Sequence, residues 1–167
     1  QELGERGMDS EGFSGVDGRS TIFDYWSVDA IRKGFFERSK LSTEQLQLEK
    51  DYRTILTLCN SEKAVKEGKT FDLTYANEAN ESFDSSRLFA FLRSSGNTTL
   101  LIVANFGETE AHAHVNIPSH AFDYMELKEG KKDMVDLLSG NYQTATLQRD
   151  GTIEMIVPAF SGRVYKF

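Results

Sequence analysis

Thr98-Thr99-Leu100-Leu101-Ile102-Val103-Ala104-Asn105-Phe106 is the stretch of sequence that decides the fold. Its apolar centre has the length and composition of a buried strand. Ser94-Ser95-Gly96-Asn97, immediately before it, has the composition of a turn, and a second apolar run covers residues 88–92. The two runs and the turn predict an antiparallel hairpin.

Strand-sized runs continue along the chain at a spacing of roughly 8 to 12 residues, with glycine-containing turns between them. Within 111–117, apolar residues alternate with His112, His114 and Asn116, so one face of this strand is predicted to be buried and the other wet. The other candidate strands are 71–75, 124–127, 132–137, 143–147, 153–157 and 163–167. This spacing favours a mainly β fold, a sandwich or a barrel, over a parallel α/β sheet.

Helix signals replace strand signals upstream of this region. Ser42 and Gln45 have the spacing of a reciprocal helix cap, and the apolar residues after them recur at intervals of three and four. These signals predict an amphipathic helix over about 43–59 and a short second helix within 61–67. Residues 1–40 are loop-like, glycine-rich at first and aromatic later, and we expect a surrounding protein to order them.

Length and charge limit the possible functions. The chain has 167 residues, of which 39% are hydrophobic, enough for one core with a small appendage. Its net charge is -7 and its basic residues are scattered, which argues against nucleic acid or an anionic membrane as a partner. No apolar run approaches the roughly 20 residues of a membrane helix. The single cysteine, Cys59, excludes an internal disulfide and fits a small core residue.

Three motifs in the β region follow one another in a specific order. They are Val103-Ala104-Asn105-Phe106-Gly107, Met134-Val135-Asp136-Leu137-Leu138-Ser139-Gly140 and Ile156-Val157-Pro158-Ala159-Phe160-Ser161-Gly162-Arg163-Val164-Tyr165. Together they resemble successive strands of the C-terminal β-sandwich of the α-amylase family, glycoside hydrolase family 13. Gln1-Glu2-Leu3-Gly4-Glu5 resembles the end of the family's segment at the eighth barrel strand. Asp17-Gly18-Arg19 and Ile22-Phe23-Asp24-Tyr25-Trp26 resemble the loop that follows it.

This resemblance covers the whole chain and implies a fold and two domains. The fold is an antiparallel Greek-key β-sandwich preceded by the helical remnant of a (β/α)8 barrel. Residues 1–68 would hold the loop after the eighth barrel strand and the last barrel helix, and residues 69–167 would form the all-β sandwich. We therefore expect the chain to start inside a catalytic barrel, as the tail of a larger protein.

The resemblance also implies a non-catalytic role. The chain would be the C-terminal portion of an α-amylase-like glycoside hydrolase acting on α-linked glucans, with its sandwich packed against the barrel. The family's nucleophilic Asp, general-acid Glu and transition-state-stabilising Asp lie on earlier strands, and no position here matches their motifs. Barrel enzymes draw their catalytic groups from several strands, so we expect no catalytic residue and no activity from this chain alone.

Partners, cofactor and location follow from the same resemblance. The expected partner is the remainder of the barrel, and the isolated chain is expected to self-associate through its barrel-facing surface or to leave residues 1–20 poorly ordered. No cofactor is expected in this portion, and calcium would belong to the parent enzyme. Many family members that act on polymeric glucans are secreted, which favours a secreted or periplasmic location over a cytoplasmic one.

A second reading is a carbohydrate-binding accessory module that contacts starch or maltooligosaccharides. Tyr25 and Trp26 are the candidate substrate-binding pair, because sugar rings stack on aromatic side chains. The alternative is that Trp26 packs against the helix or the barrel. A binding module keeps coplanar exposed aromatics, and none is predicted in the β region. The aromatic residues expected to point inward are Phe89, Phe91, Tyr165 and Phe167.

Three further groups of residues are candidate sites. A carboxylate pair for acid and base chemistry would come from a polar loop and is more simply a solvated surface; its members are Glu78, Glu81 and Asp84. A calcium loop lacks the spacing of a helix-loop-helix site; its acids are Asp9, Glu11 and Asp17. A zinc site on His112 and His114 would need His120 or an acid as a third ligand, and strand alternation alone explains the pair. No metal site is predicted.

Two sequons for N-glycosylation are present, Asn80-Glu81-Ser82 and Asn97-Thr98-Thr99. They have meaning only in a source that glycosylates secreted proteins.

Overall fold

The computed structural model describes residues 2–4 and 37–167. The chain divides into two compact units, Gln1–Thr57 and Leu58–Phe167. The predicted domain boundary at residue 68 stays a prediction. Among the described residues, no helix has the length and apolar character to cross a membrane.

Three α-helices and eight β-strands make up residues 37–167. The helices are α1 (Thr43–Ser61), α2 (Lys63–Glu67) and α3 (Ser119–Met125). The strands are β1 (Lys69–Asp72), β2 (Leu88–Ser95), β3 (Thr98–Asn105), β4 (Ala111–Ile117), β5 (Gly130–Asp136), β6 (Tyr142–Leu147), β7 (Gly151–Val157) and β8 (Ser161–Lys166). Two single-turn 3-10 helices cover Arg38–Lys40 and Tyr75–Asn77.

The predicted cap starts α1. The amide of Ser42 donates to Gln45 Oε1 at 3.0 Å, and the amide of Gln45 donates to Ser42 Oγ at 3.2 Å, which confirms the reciprocal pair. None of the 19 residues of α1 is buried. Its exposed apolar side chains include Ile55 and Leu56, at 51% and 58% exposure. The amphipathic pattern of α1 therefore presents apolar surface to solvent.

Leu58–Phe167 contains an antiparallel β-sandwich. Six strands form one sheet in the order β1-β2-β3-β8-β5-β6, and β4 pairs with β7 in a second sheet. The chain crosses between the sheets after β3, β4, β6 and β7, so β4 and β7 each lie in a different sheet from the strands before and after them. This arrangement confirms the mainly β, Greek-key sandwich.

The β2–β3 hairpin has the predicted position. Ser95 pairs with Thr98, which leaves a two-residue turn of Gly96 and Asn97. Gly96 has φ +61°, a conformation that glycine adopts without a steric penalty. Leu92 pairs with Leu101 farther along the hairpin, so apolar residues oppose one another across the strands.

The core lies between the two sheets. Because side chains point alternately to the two faces of a strand, β2 places Leu88, Ala90 and Leu92 in the core, where each is 3% exposed or less. The alternation predicted for 111–117 is confirmed, because the apolar residues of β4 are buried and its histidines are not. Other core residues are Leu101, Val103, Ala111, Ala113, Val115, Ile117, Phe122, Met134, Leu147, Ile153, Met155 and Val157.

The predicted strand at 124–127 is wrong, because this region belongs to α3. Ala121, Phe122 and Met125 are buried at helical spacing, and Pro118 supplies the N-terminal boundary. The helix ends where Glu126 takes φ +58°. This region forms a helix rather than a strand because its apolar residues are buried together on one helical face.

The predicted strand at 71–75 is too long at its C-terminal end. Pairing with β2 stops at Asp72, whose carboxylate accepts the amide of Thr74 at 2.8 Å. This local turn diverts the backbone into the 3-10 helix Tyr75–Asn77.

Candidate functional site

The outer face of the six-stranded sheet carries an apolar surface. Phe89 lies opposite Ala104, Phe91 lies opposite Ile102, and Ile102 pairs onward with Val164. Phe89 is 43% exposed, and its ring centroid lies 5.5 Å from that of Phe91. We call Phe89, Phe91, Ile102 and Val164 the outer sheet face.

The prediction that Phe89 and Phe91 point inward is wrong. Leu88, Ala90 and Leu92 occupy the inward positions, so period two places both phenylalanines on the opposite face. Both sets of residues are apolar, which is why alternation alone did not distinguish them. Tyr165 and Phe167 do pack on the core, as predicted.

α2 covers one end of the six-stranded sheet's outer side. Ala64 and Leu100 are fully buried there in a second apolar cluster with Val164. Arg93 donates from Nε to the carbonyl oxygen of Ala64 at 3.0 Å. Lys166 Nζ lies 2.9 Å from a carboxylate oxygen of Glu62. These bonds fix α2 at this end, whereas Phe89 at the other end remains exposed.

A cleft of about 400 Å³ lies beside β7, and we call it the β7 cleft. β7 pairs with β4 along one edge, while side chains of the six-stranded sheet approach the other. Gln143 Nε2 donates to the carbonyl oxygen of Glu154 at 2.6 Å, and Arg163 Nε donates to that of Ile156 at 2.9 Å. The polar side chains that line the cleft are His112, His114, Gln143, Glu154, Arg163 and Tyr165.

Tyr165 is the most buried polar residue of the β7 cleft, at 7% exposure. Within the described part of the chain its hydroxyl makes no hydrogen bond. Burial raises the pKa of this phenol above its usual value, and the nearby Arg163 charge partly opposes the shift. The hydroxyl therefore stays protonated and available as a donor at neutral pH.

A buried ion pair supports the wall of the cleft. Asp136 is 1% exposed, and its Oδ2 lies 3.1 Å from Arg163 Nη1. Asp136 also accepts the amide of Val164 at 3.1 Å. These bonds hold the guanidinium of Arg163 in place beside β7.

The histidines do not come together as a three-ligand site. His112 and His114 share the outward face of β4, where His114 Nδ1 lies 4.0 Å from a carboxylate oxygen of Glu154. His120 lies on α3, and its Nε2 contacts the hydroxyl of Tyr75. No group of three metal-ligating side chains occurs among the described residues.

An aromatic cluster surrounds His120. The ring of Phe71 lies 5.3 Å from that of His120 and 6.2 Å from that of Tyr124, at interplanar angles of 56° and 46°. Tyr75 and Tyr124 are 49% and 52% exposed. The β region therefore exposes aromatic rings, and these rings are tilted rather than coplanar.

The candidate carboxylates lie on exposed loop positions. Glu78, Glu81 and Asp84 are all exposed. Asp84 accepts the hydroxyl of Ser86 at 2.6 Å, and this bond, with one from the Ser86 amide, lowers the pKa of the carboxylate. Asp84 therefore stabilises a turn and stays ionised, which does not suit a general acid.

The two sequons differ in their surroundings. Asn80 Nδ2 donates to the carbonyl oxygen of His114 at 2.7 Å and to Asn77 Oδ1 at 2.9 Å. Both hydrogens of this amide are thus engaged inside the fold. Asn97 lies exposed in the β2–β3 turn.

Several predicted residues lie outside the described residues. They are the substrate-binding candidates Tyr25 and Trp26 and the candidate calcium ligands Asp9, Glu11 and Asp17.

Sequence comparison identifies the β region. The profile of the family described as "Alpha amylase, C-terminal all-beta domain" matches residues 79–167. A comparison with curated proteins gave no match. The motifs that suggested the resemblance, from Val103 to Tyr165, all lie inside the matched range.

Solved α-amylase structures share the fold. A noncanonic maltogenic α-amylase from Thermotoga neapolitana aligns with a TM-score of 0.56 at 11% identity, covering 77% of this chain and 27% of its own. The α-amylase from Geobacillus thermoleovorans, complexed with acarbose, aligns with a TM-score of 0.52 at 16% identity, covering 76% of this chain and 23% of its own. An Anoxybacillus α-amylase gives a TM-score of 0.52 at 17% identity, with coverages of 76% and 23%.

The chain thus spans about a quarter of the length of these structures, 27% of the first and 23% of the others. The similarity of this chain to these structures is a similarity of fold. Since the family profile covers more than half of the 167 residues, the chain belongs to the family of α-amylase C-terminal all-β domains.

Proposed function

We propose that this chain is the C-terminal, non-catalytic portion of an α-amylase-like glycoside hydrolase that acts on α-linked glucans. Its sandwich packs against the catalytic barrel, with the outer sheet face as the contact surface. Residues 1–68 contribute the last part of the barrel, and Tyr25 and Trp26 contact substrate there. Calcium, where the parent enzyme uses it, is held by other segments.

The observation that carries this proposal is the exposed apolar end of the outer sheet face at Phe89, away from the end that α2 covers. Phe89 is 43% exposed, and two more phenylalanines flank it at the strand ends, Phe106 at 70% and Phe160 at 71%. Exposed apolar patches of this kind mark interaction surfaces. A neighbouring domain that covered them would gain roughly 25 cal/mol for each Å² of apolar area removed from water.

The backbone at Phe160 supports a functional reading of this edge. Phe160 has φ +46°, an uncommon conformation for a bulky residue, and its amide donates to the carbonyl oxygen of Gly107 at 3.1 Å. The surrounding bonds hold an aromatic side chain in a strained position while leaving it exposed. A contact with a partner domain would account for keeping it there.

A hydrolysis assay tests the non-catalytic part of the proposal. The purified 167-residue chain is incubated with soluble starch, and new reducing ends are measured beside a complete α-amylase at equal molarity. We expect no release above that of heat-treated chain, since the family's catalytic motifs have no counterpart here. Release that persists through purification to homogeneity would contradict the proposal.

The alternative function, a carbohydrate-binding accessory role, is favoured by one specific observation. The β7 cleft is lined by six polar side chains, among them Tyr165, whose hydroxyl makes no hydrogen bond in the described part of the chain.

A further inference from the structure

We propose that Asn97 is the residue of this chain that accepts an N-linked glycan, and that the second sequon, at Asn80, is closed to modification. Each asparagine stands two positions before a hydroxyl residue, Thr99 or Ser82, so the sequence alone does not distinguish the two. Their surroundings in the fold are opposite. This inference concerns a covalent modification and does not depend on the function proposed above.

Glycan transfer places a chemical demand on the asparagine. The side-chain nitrogen Nδ2 displaces the diphosphate of a lipid-linked oligosaccharide at the anomeric carbon of its first sugar. A C–N bond forms, the C–O bond to the diphosphate breaks, one Nδ2 proton passes to a base of the transferase, and the lipid diphosphate leaves. The product keeps one N–H and carries a bulky hydrophilic group, so the modified side chain belongs at the surface.

Asn97 meets this demand. It is exposed and is the second residue of the two-residue turn between Ser95 and Thr98. Within the described part of the chain its side chain makes no hydrogen bond. The positive φ that the turn requires falls on Gly96, at +61°, rather than on Asn97. A glycan on Nδ2 of Asn97 would therefore break no bond of the fold.

Asn80 has a side-chain amide that the fold already uses. Nδ2 donates to the carbonyl oxygen of His114 at 2.7 Å and to Asn77 Oδ1 at 2.9 Å. Oδ1 accepts the amide of Ser82 at 3.0 Å, which forms a local turn. A glycosylated Nδ2 has one hydrogen left, so at least one of its two bonds would be lost. The sugar would also need the space that the acceptor of that bond occupies.

The bonds of Asn80 belong to a loop, 77–82, that covers the free edge of β4, and we call it the edge loop. Among the described strands, β4 has one partner, β7. On its other side, the amide of His114 donates to a carbonyl oxygen of the edge loop at 3.1 Å. Asn77 accepts the amide of Asn116 at 2.8 Å and donates to its carbonyl oxygen at 3.0 Å. The edge loop thus replaces a further strand and blocks pairing with other chains.

A glycan on Asn97 would leave the exposed end of the outer sheet face open. Asn97 follows the last residue of β2 by two positions, whereas Phe89 lies near the start of that strand. Phe89 and Ser95 are six residues apart along β2, which at 3.3 Å per residue is roughly 20 Å. The modification is therefore compatible with a partner domain at the Phe89 end.

Secretion of the 167-residue chain from a host with N-linked glycosylation tests the inference. Peptide N-glycosidase converts each modified asparagine to aspartate, so intact mass and peptide mapping count and locate the glycans. We expect one glycan, on Asn97, and none in Asn97→Gln. Ser82→Ala is the matched control, because it removes the second sequon while keeping Asn80 and the backbone of the edge loop. This variant should carry the same glycan as the wild type.

Urea unfolding of the same variants, produced in a host without glycosylation, tests the structural role given to Asn80. Asn80→Gln moves the amide by one methylene and should lower the urea midpoint. Asn97→Gln and Ser82→Ala should keep the wild-type midpoint. An unchanged midpoint in Asn80→Gln would contradict the reason given for closing this sequon.

The secreted and the cell-retained fractions are both mapped, so that poor secretion still gives a result. A glycan on Asn80 of the folded, secreted chain would overturn the inference, as would an unmodified Asn97 in both fractions. Modification of Asn80 confined to the retained fraction would support it, because a glycan there would disrupt the edge loop. The hydrolysis assay of the proposed function is unaffected by any of these outcomes.

Discussion

Asp136 joins three segments of the sandwich through one buried carboxylate. Its Oδ1 accepts the amides of Leu138 and Val164, and its Oδ2 accepts the hydroxyl of Ser139 and Nη1 of Arg163. The carboxylate is 1% exposed, and these four donors compensate for its burial. Asp136 thus holds the turn that follows β5 against β8, which gives the sequence motif around it a structural role.

Asp136→Ala should destabilise the fold strongly. It removes the acceptor for four donors and leaves Arg163 without its ion-pair partner, at a cost of about 2–4 kcal/mol in the free energy of unfolding. Urea unfolding of the variant and the wild type measures the difference. Asp136→Asn keeps the size and one acceptor, so its loss should be smaller; an equal loss would contradict the role given to the charge.

Tyr165 should control part of the stability at alkaline pH. Because burial raises its pKa, the folded state holds the phenolic proton more tightly than the unfolded state, whose pKa is about 10. This contribution is fully present below about pH 10 and is lost as the pH rises through the higher pKa of the folded state.

The phenolate absorbance of the wild type, minus that of Tyr165→Phe, isolates the titration of this residue. We expect a midpoint above that of free tyrosine, and unfolding data in which the alkaline loss of stability is smaller in the variant. A midpoint at or below that of free tyrosine would show that the phenol is not buried in the way described.

At the scale of elements, most of the helices and strands can be predicted from local sequence signals. The β2–β3 hairpin and the α1 cap follow from Gly96, Ser42 and Gln45, each of which acts within a few residues of itself. α3 could not be predicted in this way. Its apolar stripe is short, its buried face is set by the core, and its N-terminal cap comes from a residue far along the chain, Asp150.

The cap from Asp150 makes α3 sensitive to acid. Asp150 accepts the amide of Ser119 at 2.8 Å, and bonds from the Ser119 hydroxyl and amide lower the pKa of the carboxylate. The stabilisation is present above the unfolded-state pKa and is lost as the pH falls through the lower pKa of the folded state.

Asp150→Asn should lower the melting temperature at neutral pH, and the difference from the wild type should shrink in acid, below about pH 3. Asparagine tolerates the φ of +56° found here, so backbone strain does not confuse the comparison. Melting curves across this pH range provide the measurement, with Glu81→Gln as an exposed control. A difference independent of pH would exclude the charged cap.

At the scale of the whole molecule, the strand order is what the sequence does not reveal. β8 lies between β3 and β5, and β4 pairs with β7, so partners come from distant parts of the chain. The β7 cleft shares this property. Alternation along β4 exposed His112 and His114, but only the fold brings Gln143, Arg163 and Tyr165 beside them.

The outer sheet face is the surface through which we propose that this sandwich packs against a barrel. The most direct measurement is sedimentation equilibrium of the isolated 167-residue chain and of Phe89→Ser. An uncovered apolar face should drive self-association of the wild type, and loss of the Phe89 ring should weaken it about tenfold or more. Tyr124→Ser, at an exposed position of α3 outside the outer sheet face, should leave self-association unchanged. A wild-type chain that is monomeric at every concentration, or a Phe89→Ser variant that associates as strongly, would contradict the claim.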